Sequence, residues 1–489
     1  MATATLSHGR RISLTQPRLD AAGLLTGAIY LIFFTFGFMS FTDPDYWWHL
    51  RTGQYIVENR SIPTHDIYSY TVQGKEWLTH EWLSEAAIYL SVSSFGYAVT
   101  LGIFVAITLG AFGLTQRAML KSGTPPMAAI LLILLGLMMS ATYWTVRPQV
   151  LSWAFIALFI STLFQRQRPA WLLVPAMALW ANIHLGFLFG LVIASLWYST
   201  RLWESRSHGQ FEWKSGAAFL AALGAATLLN PSGPLVWAHA VPFVPVFGSA
   251  VDTSVITEWA SPNFHSPMHF PLLGGIALLI VLGLTAQVRD PFAVLLAAMF
   301  AVLALYSSRF QPMFAIAFLP AAGLAARDLS IFQQRNSAPS HASLNWALVG
   351  LTAVIALVAI PLLPQAQVFP DPRTNSQPYY PAPALAWVQE HRPNANVFAS
   401  YAWGGYFING LYPDGHVFVD GRADMYGTDV VQDYRSITAA KQGWQEKLEG
   451  SGTNVVVVSP DSPVAQELHY TEGWVTTLET GNEVIFVRQ

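Results

Sequence analysis

Two aspartates two residues apart, Asp43 and Asp45, open a stretch that reads DPDYWWHLRTG, with His49 four residues beyond Asp45. His80, Glu81 and Glu85 follow. Then come polar residues almost alone in apolar surroundings: Arg147 in TVRPQ, Asn182 and His184 in ANIHLG, Asn230 in LNPSGP, Glu258 in ITEWASP and Arg309 in SSRFQP. Carboxylates of this kind serve as general bases or metal ligands. Arginines grip phosphate through paired N–H bonds. Together they suit a displacement in which a base takes a proton from an acceptor while positive charge steadies a departing phosphate. The expected catalytic residues are Asp45, Asp43, Glu81 and Glu258, and the expected phosphate-binding residues are Arg51, Arg147, Arg309 and His184. The candidate metal ligands are Asp45, His49 and His80. Plainer roles compete: Asp43 as a helix cap, Asp45 as a partner of the helix dipole, the arginines as side chains reaching for headgroups.

The elements that must position these residues are read from composition. Of 489 residues, 53% are hydrophobic and 11% charged, and mean hydropathy is +0.39. A soluble domain carries about 25% charged residues, so most of this chain belongs in a bilayer. With no Cys there are no disulfides, thiolate zinc sites, iron–sulfur clusters or Cys nucleophile. A net charge of −3 with 25 Lys and Arg gives no footprint for nucleic acid. The 18 Trp, 18 Tyr and 30 Phe supply aromatic belts at the membrane interfaces.

Runs able to cross a bilayer core, about 20 apolar residues each, occur near 22–41, 97–116, 126–143, 149–165, 169–182, 186–200, 216–229, 271–288, 291–307, 310–326 and 344–363, about eleven spans. The first lacks a small-residue cleavage site and reads as a retained anchor. With the N-terminus inside, the inner connections hold thirteen Lys and Arg: Arg10, Arg11, Arg18, Arg117, Lys121, Arg166, Arg168, Arg201, Arg206, Lys214, Arg289, Arg327 and Arg335. The outer connections hold five: Arg51, Arg60, Lys75, Arg147 and Arg309. The positive-inside rule then sets the orientation, and an odd number of spans puts the C-terminus outside.

The first outer loop, 42–96, predicts a helix over Pro44–Asn59, capped by Asp43, with Trp47 and Trp48 among lipid headgroups. A second interfacial helix is predicted near Thr79. Asp45 and His49, four apart, share a face. The organisation is a cytoplasmic tail (1–21), a transmembrane part (22–363) and a small extracytoplasmic α/β domain (364–489). That last part begins Pro-rich, with helices over 384–391 and 443–448 and strands over 454–459 and 483–488. In VFVDGRADMYG, Asp420, Arg422 and Asp424 are read first as ion pairs that hold this domain to the first loop, with acceptor binding as the alternative. All the lone polar residues fall on the outer side, where they describe a wet cavity at the membrane surface. A substrate half lipid and half polar suits such a cavity, and a polyprenyl-phosphate sugar has that form.

The chain resembles polytopic GT-C-type glycosyltransferases. The stretch DPDYWWHLRTGQYIVENRSIPTHDIYSYTVQGKEW is similar to the first loop of archaeal and bacterial oligosaccharyltransferase catalytic subunits. The segment ALAWVQEHRPNANVFASYAWGGYFI resembles the one leading into their WWDYG motif. Over nearly its full length the chain resembles a set of bacterial GT-C-like membrane proteins. In these, DxDxWWHLxTG, HEWLxE, RPQ, NxHxG, NPxG, EWxSP and VDGRADxYG recur in this order.

The resemblance implies an enzyme of a bacterial inner membrane that transfers a sugar from a polyprenyl-phosphate donor to a glycan, lipid or protein acceptor on the outer face, with a divalent metal ion as possible cofactor. Asp45 or Asp43 matches the family's first-loop acid and Arg51 its first-loop arginine. The second outer loop, SATYWTVRPQ, has Arg147 but no acid. Residues 401–406 read YAWGGY, without the Asp of WWDYG, which implies a monosaccharide donor and an acceptor other than Asn sequons. Two other classes compete. A transporter or flippase would show matching halves and polar residues at midplane, and neither is visible. A non-catalytic scaffold would show no turnover with any donor.

Overall fold

The computed structural model describes residues 21–38, 43–208, 212–241, 256–285, 290–329, 331, 342–359 and 380–489. The N-terminal arginines, Arg289, Arg335 and most of the Pro-rich segment lie outside the described residues. In hydrocarbon a backbone must satisfy its own hydrogen bonds, so apolar runs become helices. Those of the membrane part are α1 (Ala21–Gly37), α3 (Trp82–Lys121), α4 (Pro126–Ser140), α5 (Pro148–Leu163), α6 (Leu173–Trp180), α7 (Phe187–His208), α8 (Trp213–Ala226), α9 (Leu235–Ala240), α10 (Phe270–Thr285), α11 (Pro291–Tyr306), α12 (Gln311–Ala317), α13 (Leu319–Ala326) and α14 (Ala342–Ala359). Between α1 and α3 lies α2 (Tyr46–Asn59). Among the described residues, four helical stretches are long and apolar enough to cross a membrane: Trp82–Lys121, Pro126–Tyr143, Pro267–Leu284 and Ser308–Ala326. The run 169–182 forms only the eight residues of α6, roughly 12 Å of helix, too short to span a bilayer on its own.

Two features of the first loop differ from expectation. Helix α2 starts at Tyr46, two residues late, because the Asp43 carboxylate accepts the Asp45 N–H (2.9 Å) in a turn ahead of the helix. Trp47 and Trp48 are 2% and 7% exposed and do not face headgroups. Trp47 packs edge-on against Tyr380 and Tyr406 at 5.4 and 5.0 Å, in the seam with the C-terminal α/β unit. An indole stabilises more by filling that seam than by sitting half-wet at an interface. Helix α3 is two helices joined at Gly96, whose φ of 82° and ψ of 169° no other residue type adopts readily. Residues 82–95 form the predicted second loop helix and 97–121 the span. Gly53 lets α2 lie directly on α3, since a Cβ there would strike the Glu85 carbonyl.

Residues 380–489 carry a five-stranded sheet in the order β2-β1-β3-β5-β4: β1 (Asn396–Ala399), β2 (His416–Val417), β3 (Val455–Val458), β4 (Trp474–Glu479) and β5 (Val484–Arg488). The first three named strands pair in parallel, and β5 runs antiparallel between β3 and β4. Helices α15 (Ala382–His391), α16 (Gly404–Leu411), α17 (Ala423–Tyr426), α18 (Thr428–Thr438), α19 (Trp444–Gly450) and α20 (Pro463–Leu468) cover the sheet. The all-Val strand β3 is buried throughout, as a central strand should be.

The first loop extends this sheet. Ser69 bridges Val417 in parallel, with Val417 N–H donating to Tyr68 O and Tyr70 N–H donating to Val417 O, both 3.1 Å. Arg422 fastens the join: it pairs with Asp66 at 2.9 Å and Asp420 at 2.7 Å, and its guanidinium lies 4.5 Å over Trp77 and 5.0 Å over Tyr68. A buried charge is tolerable only when saturated in this way.

Candidate active site

Five of the sequence-predicted residues meet in one ion cluster. Arg147 precedes Pro148, which holds it in extended conformation at the start of α5. Its side chain reaches Asp43 at 2.9 Å, Asp45 at 2.5 Å and Glu258 at 3.3 Å. Arg309 lies in the short turn between α11 and α12 and pairs with the same oxygen of Glu258, Oε1, that Arg147 meets. That turn is tied to the Glu258 loop by Ser308 N–H to Ala260 O (2.9 Å) and the Ser307 hydroxyl to Glu258 O (3.1 Å). Arg309 also stacks 5.3 Å over Trp259.

Three carboxylates face two guanidiniums here, so one negative charge is in surplus. Burial pushes Asp45 up to about 7 against the pull of Arg147, with Asp43 and Glu258 adding repulsion. Glu258 goes the other way: burial opposes its charge, but Arg309 and Arg147 hold it below the ordinary carboxylate value. Trp48 Nε1 donates to Asp45 Oδ1 at 3.2 Å. Against Asp45 lies Gly421 of the C-terminal α/β unit, where a Cβ would strike Asp45 Oδ1 and come 2.9 Å from Trp48 Nε1. Gly421→Ala is expected to cost about 1–3 kcal/mol by overpacking, which a lowered thermal midpoint of the purified protein checks.

A second group stands beside the first. Glu81 starts α3 next to the turn between α6 and α7, joined to it by Ser84 Oγ donating to Ile183 O at 2.8 Å. Its oxygens lie 3.5 Å from His184 Nε2, 3.6 Å from His80 Nε2 and 3.7 Å from His49 Nδ1. Burial disfavours its charge, but these imidazoles bring it well below the ordinary value. Burial lowers His49 and His184 to about 3, so both are neutral at pH 7. His49 Nδ1 is also 3.1 Å from Glu85 Oε1.

Both groups wall one cavity of about 390 Å³, lined on its polar side by Asp45, His49, His80, Glu81, Arg147, His184 and Arg309. The opposite wall is apolar, with Leu188, Phe189 and Val192 of α7, Met299 and Leu303 of α11, and Met313 of α12. Gly421–Asp424 of the C-terminal α/β unit also contribute.

Arg51, expected to bind phosphate, is a correction. It donates to the Asn409 carbonyl and, at 3.0 Å, to Gln54 Oε1, and it lies 6.0 Å from the Tyr412 ring centroid. It fastens α2 to the C-terminal α/β unit and does not line the cavity. The environment of Asp45 does not fit a cation either, because its carboxylate is taken by the guanidinium of Arg147 and the indole of Trp48. Asn182 is a latch: it receives Trp82 Nε1 (3.0 Å) and donates to Leu229 O (2.7 Å). Sequence reasoning missed His239, whose Nε2 is 3.2 Å from Asp424 and whose ring is 4.8 Å from that of His80. A lone His after LNPSGP was the available signal. It also missed Gln149, which lines the cavity with an Oε1 that has no hydrogen-bond partner among the described residues.

This bundle, with a charged cleft beside a small α/β unit, has a GT-C-like fold, and its membrane-length helices fit a multi-pass membrane protein. The fold is that of a mutant form of arabinofuranosyltransferase AftD from Mycobacteria, with a TM-score of 0.52 at 14% identity over 95% of this chain and 41% of that one. AftD itself gives 0.49 at 13% identity over 95% of this chain, which spans 39% of AftD's length. ArnT from Cupriavidus metallidurans bound to undecaprenyl phosphate gives 0.49 at 13%, covering 95% of this chain and 98% of that one. No family model matches the sequence, and no curated protein does.

Proposed function

We propose that this protein transfers a sugar from a polyprenyl-phosphate donor to an acceptor at the outer face of a bacterial inner membrane. One observation carries the reading: the cavity joins an apolar helical wall to a rim bearing Arg147 and Arg309. A lipid with a phosphate head fits that division, its chain along α7 and α11 and its phosphate at the guanidiniums. Gln149 Oε1 offers an unfilled acceptor for a sugar hydroxyl.

The reaction is one displacement. An acceptor hydroxyl attacks the anomeric carbon, its proton passes to the Asp45 carboxylate, and the carbon–oxygen bond to phosphate breaks. The electron pair leaves on the polyprenyl phosphate, where Arg309 and Arg147 stabilise the added charge. Binding requires the phosphate to displace Glu258 from Arg309. The test is incubation of purified protein with labelled polyprenyl-phosphate sugars and candidate acceptors. Release of polyprenyl phosphate supports the reading, and its absence with every donor overturns it.

The proton balance of the cluster makes the rate depend on pH. Asp45 acts only when ionised, and its value lies near 7. The rate is therefore expected to rise with pH through an acid limb near 7. Asp43→Asn removes a neighbouring negative charge, weakens proton binding at Asp45, and shifts that limb to lower pH in initial-rate profiles.

A further inference from the structure

The group around Glu81 carries more than the transfer step uses. His49 Nδ1 and carboxylate oxygens of Glu81 and Glu85 all lie within 4.8 Å of one another. The three side chains are 2%, 11% and 1% exposed. Two carboxylates and an imidazole are thus held together nearly out of water, and Glu85 Oε2 has no hydrogen-bond partner among the described residues. The Glu81 contacts of 3.5–3.7 Å are too long for hydrogen bonds. Ligands about 2.0–2.2 Å from a tetrahedral ion stand roughly 3.3–3.6 Å apart. We propose that His49, Glu81 and Glu85 form a binding site for a divalent first-row transition ion, Zn²⁺ or Mn²⁺, in the wall of the cavity.

The ring tautomers sort the neighbours. His184 Nδ1 accepts the Gly186 N–H at 2.8 Å, so its proton sits on Nε2. His184 therefore points an N–H at Glu81 and is not a ligand; it orients one. His80 Nδ1 faces the Leu78 carbonyl at 3.3 Å, which leaves Nε2 with a lone pair beside Glu81. Of the three ligands His80 stands beside Glu81 alone, outside the group whose ligand atoms lie within 4.8 Å of one another, so the fourth position is left to water or substrate. The mixed imidazole and carboxylate set selects a transition ion over Mg²⁺. His49 and Glu81 line the cavity, so an open coordination position faces it, next to the arginine cluster. The geometry also moves the metal away from Asp45, the place where the first-loop acid would put it.

The experiment reads metal and not turnover, so its outcome is independent of the transferase reading. Full-length protein in detergent is stripped with EDTA and titrated with Zn²⁺ alone, then with Mn²⁺ alone, and bound metal is measured by elemental analysis. One ion per chain is expected in wild type and in Asp45→Asn. Glu85→Gln and Glu81→Gln are expected to weaken binding ~10- to 100-fold. Glu85→Gln keeps the shape of the neutral acid, and circular dichroism verifies its fold. X-ray absorption at the zinc edge of the wild type should show a shell of one imidazole with carboxylate oxygens. No stoichiometric ion in wild type, unchanged affinity in folded variants, or a shell without imidazole each overturns the site.

Discussion

Replacing Arg147 with Met is expected to unfold the outer end of the bundle before it tests any chemistry. Arg147 is 7% exposed and is the single contact shared by Asp43, Asp45 and Glu258, which arrive from two distant parts of the chain. Its loss leaves three acids crowded together, with Arg309 opposite only one of them. Removing one partner of a buried ion network costs about 3–5 kcal/mol. Arg309→Met is the control. Its side chain is 19% exposed against 9% for Arg147, and Glu258 keeps Arg147, so a smaller loss than in Arg147→Met is expected. Thermal unfolding of the two variants in one detergent checks the contrast. Low pH should partly rescue Arg147→Met, since protonating the stranded carboxylates removes their repulsion.

Asp45→Asn is expected to keep the fold and lose the reaction. The amide is isosteric and its oxygen still accepts from Trp48 Nε1, so the start of α2 and the seat of Gly421 are preserved. Arg147 retains Asp43 and Glu258. What disappears is a place for the acceptor's proton, worth about 10²–10⁴ in rate for a positioned base. Turnover should fall by that factor while donor binding changes little. A fall in donor affinity with turnover intact would instead make Asp45 a binding group, and the base would have to be sought elsewhere. Single-turnover rates at saturating donor separate the two outcomes.

Much of this was legible in the residues. Apolar runs marked the helices because hydrocarbon leaves the backbone no alternative. Isolated polar residues at their ends marked the cluster because burying Arg147 or Glu258 without partners is too costly to arise idly. The strand NVVVVS and the ion-paired role of Arg422 were readable on similar grounds. What could not be read was direction. Trp47, Trp48 and Arg51 sit on a helix whose amphipathic pattern shows an apolar side without saying whether lipid or another domain covers it. Here Tyr380, Tyr406 and Asn409 cover it, more than 300 residues away in sequence. Gln149 carries no local pattern and His239 only that of a lone histidine; the tertiary fold alone turns Gln149 into the cavity and sets His239 against Asp424 and His80.

The bend at Gly96 separates footing from reaction centre. The upright part of α3, over 97–121, must tilt as bilayer thickness changes, whereas the part bearing Glu81 and Glu85 is clamped to α2 and to the turn at Ile183. A glycine between them takes up the tilt as a pivot. The carboxylates are therefore expected to keep their register with the arginines in thin and thick membranes alike, which activity in vesicles of short- and long-chain lipids checks.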